Sequence, residues 1–345
     1  MSSRFDRSAL AQLVFARIRE FTREPEAVFW AIFFPVVLSA GLGIAFRGGS
    51  IEVVTVATTS AAVAEALRTE PGFAVEELSG DAARTALRTG KIVLLAESSA
   101  NGGVTYHYDD TSPQGRSARI LADRAVQRAA GRQDPVTTDD ALVREPGTRY
   151  IDFLVPGLVG LGIMSNAVWG LGFSIVDARR RKLTKRLLAT PMSKTSYLMS
   201  YLIWRMMILV VEVGVPVGFG AWAFGVPVRG SILDLVVISV LASLAFSSLG
   251  LLIACRARTI EGVSGLMNLV QVPMWILSGV FFSAQRFPDV VQPIIKALPL
   301  TAVIDALRGH MLQGAGLATL WPELTTLVVW MVACFAIALS LFRWK

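Results

Sequence analysis

Cysteine and histidine are nearly missing from this chain, with two of each among 345 residues. Cys255 and Cys334 both fall at or in long apolar runs, which excludes a disulfide framework and a thiolate metal cluster. His107 and His310 stand alone, with no second ligand at metal-binding spacing, and are expected to be structural or exposed. Charge is also scarce. Only 17% of the residues are Asp, Glu, Lys or Arg, 53% are hydrophobic, and the mean hydropathy is +0.55. Soluble domains are about 25% charged, so the composition points to a membrane protein. A membrane-embedded enzyme would need convergent catalytic groups, and the chain has neither a His-Glu-x-x-His helix nor paired aspartates within a span. Asp152 and Asp234 sit singly near span starts.

The apolar residues come in bilayer-length runs. Ala27 to Phe46 is uncharged, and about 20 residues rising 1.5 Å each cross a hydrocarbon core of roughly 30 Å. Phe153 to Val176, Leu235 to Cys255, Val263 to Ala284 and Leu324 to Phe342 are comparable, and Tyr197 to Gly225 is as long but carries Arg205 and Glu212. Six spans are expected. The first is too long, and too far from Met1, to read as a cleaved signal peptide.

Basic residues set the orientation. They crowd four segments: Arg4 to Arg23, Arg179 to Lys194, Arg256 with Arg258, and Arg343 with Lys345. With six spans these segments share one side, which the positive-inside rule makes cytoplasmic, together with both termini. "SALAQLVFARIREFTRE" places Leu10, Leu13, Val14, Ile18 and Phe21 on one helical stripe, so residues 1–26 are expected as an amphipathic helix along that interface, or packed on a partner protein.

Residues 47–150 lie between the first two spans and read as an extracytoplasmic α/β domain. "IEVVTVATT" is strand-like, Ser60 can cap a helix, Pro71-Gly72 turns the chain and "FAVEELS" alternates. Asp81 opens a second helix, "KIVLLAES" is a buried strand, "VTYHYDD" alternates, and a third helix runs from about Gly115 to Ala130.

Between the second and third spans stands "RRRKLTKRLLATPMSKT", with seven basic residues around a Leu-Leu pair. A topology anchor needs only charge. This segment also has an apolar stripe of Leu183, Leu187 and Leu188 and a stop at Pro191, where the missing N–H ends a helix. "RRRKLTKRLLATPMSKTSYLMSYL" resembles the loop between spans two and three of ABC type-2 transporter permeases. "LSGVFFSAQRFPDVVQPIIKALPLTAVIDALRG", residues 277–309, is similar to the same family's segment after the fifth span. The resemblance covers nearly the whole chain. It departs from the family pattern at Lys182-Leu183-Thr184, where many members carry an acidic-basic run and Gly-Thr.

The resemblance implies an α-helical polytopic membrane protein with six transmembrane helices and an α/β extracytoplasmic domain between helices 1 and 2, residing in a bacterial-type cytoplasmic membrane. Residues 27–46 would be helix 1, and residues 151–345 would hold helices 2–6 with an outer re-entrant or interfacial segment at 285–320. The segment 177–191 would be a coupling helix. Asp177, Arg179, Arg180, Arg181, Lys185, Leu187, Leu188 and Pro191 would contact a separate ABC ATPase subunit, which would hold ATP and Mg²⁺. This chain is expected to bind no cofactor and no metal. A phosphate-cradling loop needs Gly-x-x-x-x-Gly-Lys-Ser/Thr, whereas Gly90-Lys91 is followed by Ile92. "LSGD" at 78–81 and "LSGV" at 277–280 lack the Gly-Gln continuation of an ABC signature.

The other implied partners are a second copy or a similar permease, and membrane lipids; nucleic acid is not expected. The family exports drugs, lipids, polysaccharides, peptides and ions. Polysaccharide exporters usually lack so large an outer domain, which favours a hydrophobic or amphipathic small molecule such as a drug or antibiotic, with a lipid or lipid-linked envelope component as the alternative. A sensor or scaffold would be expected to carry a cytoplasmic output domain, and none follows the last span before Lys345.

Ionisable groups inside a span are costly and functional by default. Arg205 and Glu212 are two turns apart on one face, about 10 Å along the axis, a distance for easy contact only if long side chains reach. Each is satisfied by a neighbouring helix or a dimer partner, or else lines a pathway. Asn166, Asn268 and Gln271 have the same two readings, since amides also join transmembrane helices. Gly157, Gly160, Gly162, Gly170 and Gly172 are expected to permit close helix approach.

Overall fold

The computed structural model describes residues 2–45, 53–99, 103–133, 147, 149–180, 194–256 and 259–341. They form two compact units, one of Met1–Arg47 with Val143–Lys345, the other of Gly48–Leu142.

The larger unit is helical. In α1 (Ser2–Arg23) the stripe Leu10, Leu13, Val14, Ile18 and Phe21 is half-buried while Phe15, Glu20 and Arg19 are exposed. The helix packs on α7 (Lys194–Phe224), where the Phe21 and Trp204 rings lie 5.3 Å apart. After a short turn at Pro25–Val28 comes α2 (Phe29–Ala45), whose first five residues are π-helical. Then follow α6 (Tyr150–Arg180), α7, α8 (Ile232–Arg256), α9 (Ile260–Leu277), α10 (Gln292–Ala297), α11 (Pro299–Gln313) and α12 (Trp321–Leu341).

Five described helices, α6, α7, α8, α9 and α12, are long and apolar enough to cross a bilayer. The segment expected as the first span is the shorter α2, and at 1.5 Å per residue its length is about 25 Å. Asp289–Ala297 meets α11 at 83°. Leu298 between them is extended, at φ −71° and ψ 135°, because the residue before a proline is disfavoured in the helical region.

α6 is the spine of this unit. Its apolar stretch is 78% buried, against 22% for α9 and 17% for α12, and α2, α7, α8, α9 and α11 all pack on it. Small residues permit the approach. A Cβ on Gly250 of α8 would stand 2.9 Å from the Val168 carbonyl oxygen, and one on Gly157 would stand 2.6 Å from that of Val280. Gly160 and Gly172 likewise abut Ile304 and Met267, whereas Gly162 and Gly170 face open space. Three of the five glycines assigned to close packing therefore serve it.

In the smaller unit, β1 (Val54–Thr58), β2 (Phe73–Glu77) and β3 (Leu94–Ser98) are parallel, and β4 (Val104–Tyr108) runs antiparallel to β3. The strand order is β2-β1-β3-β4. Alternation along the strands sorts the helices onto two faces. Val56, Leu94 and Ala96 pack with α3 (Ala61–Arg68) and α5 (Pro113–Ala129), while Ala57 and Leu95 pack with α4 (Gly80–Arg88). Ser112 caps α5, its hydroxyl accepting from the Gly115 N–H at 3.3 Å.

Candidate functional site

The described helix α6 carries the backbone through Asp177, Arg179 and Arg180. The other residues assigned to ATPase coupling, Arg181, Lys185, Leu187, Leu188 and Pro191, lie outside the described residues.

Inside the membrane unit the geometry is specific. Arg205 and Glu212 do meet: the axial separation is spanned by their side chains, with Arg205 Nη1 3.0 Å from Glu212 Oε1. Arg205 Nε also donates to Ser243 Oγ of α8 at 2.8 Å. Glu212 is 3% exposed and Ser243 fully buried. Arg205 Nη2 and Glu212 Oε2 have no hydrogen-bond partner among the described residues. The pair thus joins α7 to α8 while keeping one donor and one acceptor unused.

A second polar contact joins α6 to α9. The Trp169 indole N–H donates to Gln271 Oε1 at 3.1 Å, with Gln271 fully buried. Gln271 Nε2 and, one turn on, Trp275 Nε1 have no partner among the described residues. Asn166 is half-buried, and Asn268 is exposed on α9. Of the five polar residues singled out in the sequence, Arg205 and Glu212 are hydrogen-bonded to each other, and Gln271 to Trp169.

Sequence reasoning missed the groups that tie down the far end of α6. Arg308 of α11 donates to the Phe153 carbonyl through Nε and Nη2, at 3.2 and 3.1 Å, and to the Gly279 carbonyl at 2.6 Å. Its guanidinium lies 3.4 Å from the Phe153 ring centroid. The Tyr150 hydroxyl donates to the Phe281 carbonyl at 2.9 Å. Arg149 holds Asp152 at 2.8 Å and reaches the Gly225 carbonyl at 3.2 Å; the hydrogen bond to Asp152 raises the Arg149 pKa further. Buried His310 places Nδ1 and Nε2 each 2.9 Å from a carbonyl oxygen, of Ala315 and Ser231, with its ring against Gly230. The available signal was charge inside an apolar helix, Arg308 with Asp305 three residues before it.

The buried ion pair, the Trp-Gln contact and the clamped central helix are, among the described residues, contacts that join helices. Among the described residues no group of three His, Cys, Asp or Glu can hold a metal. The family model for the ABC-2 family transporter protein matches residues 26–340. The chain belongs to this family.

Three relatives illustrate the range of the ABC-2 match. ABC transporter G family member 20 of Dictyostelium discoideum is 26% identical over 71% of this chain and 35% of its own length. The inner membrane transport permease YhhJ of Escherichia coli is 31% identical over 50% of this chain and 46% of its own. Nodulation protein J of Bradyrhizobium diazoefficiens is 29% identical over 58% and 76%. The chain spans less than half the length of the first two. It is an integral membrane protein of the ABC-2 transporter family.

Proposed function

We propose that this ABC-2 subunit is the permease of an ATP-driven exporter, moving a hydrophobic or amphipathic small molecule, such as a drug or antibiotic, out of the cytoplasm or inner leaflet. A separate ABC ATPase binds ATP and Mg²⁺ and drives it. The permease works as a pair, with a second copy or a similar subunit.

The observation that carries this reading is the outward face of α9. Leu266, Asn268, Leu269, Val272 and Ile276 are exposed there, while Met267, Gln271 and Met274 on the opposite face are buried. Aliphatic groups alone would suit lipid. The Asn268 amide does not, since an unpaired polar group in hydrocarbon is costly. A second copy across a path for mostly apolar cargo satisfies both kinds of group. Six spans, both termini in the cytoplasm, the α/β unit outside it and the coupling role of residues 177–191 complete the proposal, supported by the basic residues flanking the apolar runs.

Two experiments test it. Detergent-solubilised wild type should retain the candidate ATPase in a pull-down, and Arg180→Glu/Leu187→Asp should lose it with folding intact. Undiminished binding would return the basic loop to a topology anchor. In a sensitised host expressing the pair, an ATP-dependent fall in dye or antibiotic accumulation is expected, weakened by Asn268→Leu. No change across the panel would reject the small-molecule cargo.

A further inference from the structure

Basic residues in the α/β unit are densest along α5 and just past its end. Residues 113–132 hold Arg116, Arg119, Arg124, Arg128 and Arg132 against Asp123 alone, whereas residues 53–112 hold four basic residues against eight acidic ones. Gly115, Ala118, Ala122 and Ala125 seat α5 on the sheet. On the opposite face Arg116, Ile120 and Arg124 recur at four-residue spacing, all exposed, with Leu121 and Arg128 along the flank. Arg119 is turned aside, 3.5 Å from Asp123 and 4.9 Å from the Tyr106 ring centroid. Ile120 is 66% exposed in the middle of this basic face, and Leu121 borders a shallow apolar depression with Val54 and Phe73.

A helix face turned only to water is expected to be polar throughout. Aliphatic side chains set among arginines are instead the composition of helices that lie in a membrane interface, where the apolar groups enter the headgroup region and the arginines meet phosphate. Both ends of the α/β unit connect to the membrane unit. A bilayer surface is therefore tethered to this unit at a high effective concentration, an advantage no soluble partner shares. We propose that α5 docks on anionic lipid headgroups, with Arg116 and Arg124 engaging phosphates and Ile120 and Leu121 inserted between them.

The test uses the full chain in nanodiscs of phosphatidylcholine alone or mixed with phosphatidylglycerol. Cys255 and Cys334, both buried, are replaced by Ala, and a nitroxide is attached at Gln127→Cys on the outer face of α5 or at Ala82→Cys on α4. Phosphatidylglycerol should produce a severalfold loss of access of an aqueous nickel chelate to position 127 and none at position 82. High salt, or Arg116→Glu/Arg124→Glu, should restore that access. The salt titration needs no variant at the docking face and so stands even if the charge reversal disturbs folding. Equal access at position 127 in both lipids, or protection that survives salt and charge reversal, would overturn the proposal. Spin-spin broadening between two labels at 127 would overturn it too, assigning the face to a second copy of the chain.

Discussion

Arg205 and Glu212 pose an energetic question that their contact sharpens. Removing one partner of a buried ion pair leaves an uncompensated charge and costs about 3–5 kcal/mol, while replacing both with apolar side chains is close to neutral. Arg205→Leu should therefore lower the melting temperature in detergent, and Arg205→Leu/Glu212→Leu should regain much of the loss. Transport left intact in Glu212→Gln, with lowered stability, would make the pair structural. His310 makes a different prediction. His310→Phe keeps a ring against Gly230 but removes the imidazole that lies 2.9 Å from the Ser231 and Ala315 carbonyls; a neutral ring donates to one of them, and loss of that hydrogen bond costs about 0.5–1.5 kcal/mol. Thermal melts of the purified variant check it. Asp109 is expected to contribute to acid sensitivity in the α/β unit. The Thr111 hydroxyl and backbone N–H donate to its carboxylate at 2.7 and 2.9 Å and hold it below the ordinary carboxylate range. A carboxyl lowered on folding contributes stability above its unfolded pKa, and that stability is lost as pH falls through the lowered folded value. Asp109→Asn should accordingly cost stability at neutral pH and flatten the acid-side decline, read by hydrogen exchange in β4 and α5.

Gly250 and Gly162 test how α6 and α8 cross. Alanine at Gly250 would press on the Val168 backbone, which cannot yield as a side-chain tip can, whereas alanine at Gly162 meets nothing within 4 Å. Overpacking costs about 1–3 kcal/mol, and alanine in a helix is favoured over glycine by up to about 1 kcal/mol. Gly250→Ala should melt lower than wild type, and Gly162→Ala level or higher. The same contrast explains which features the sequence disclosed. The stripe of α1 and the long apolar runs follow from periodicity and length, which one chain displays without neighbours. Nothing in "GLVGLGIMSNAVWGLG" distinguishes Gly157 from Gly162, because the difference lies in Val280, brought up by a distant segment. Trp169 with Gln271 and Arg308 with Phe153 escaped for the same reason, being pairs of residues far apart in sequence.

Each unit carries its own core: one spreads from α6 to α12, and the others line the two faces of the β-sheet. Replacing residues 48–142 by a short Gly-Ser linker should leave a membrane unit that elutes as a single species and melts near the full chain. Broad aggregation would show that the two cores fold only together. Within the membrane unit the continuous α6 runs about 45 Å at 1.5 Å per residue, from the Arg149–Asp152 pair and the Arg308 clamp at one end to Arg180 at the other. Its one internal proline, Pro156, sits near the clamped end. A displacement at Arg180 would travel most of the helix before meeting Pro156, and only beyond it the Phe153 carbonyl that Arg308 holds.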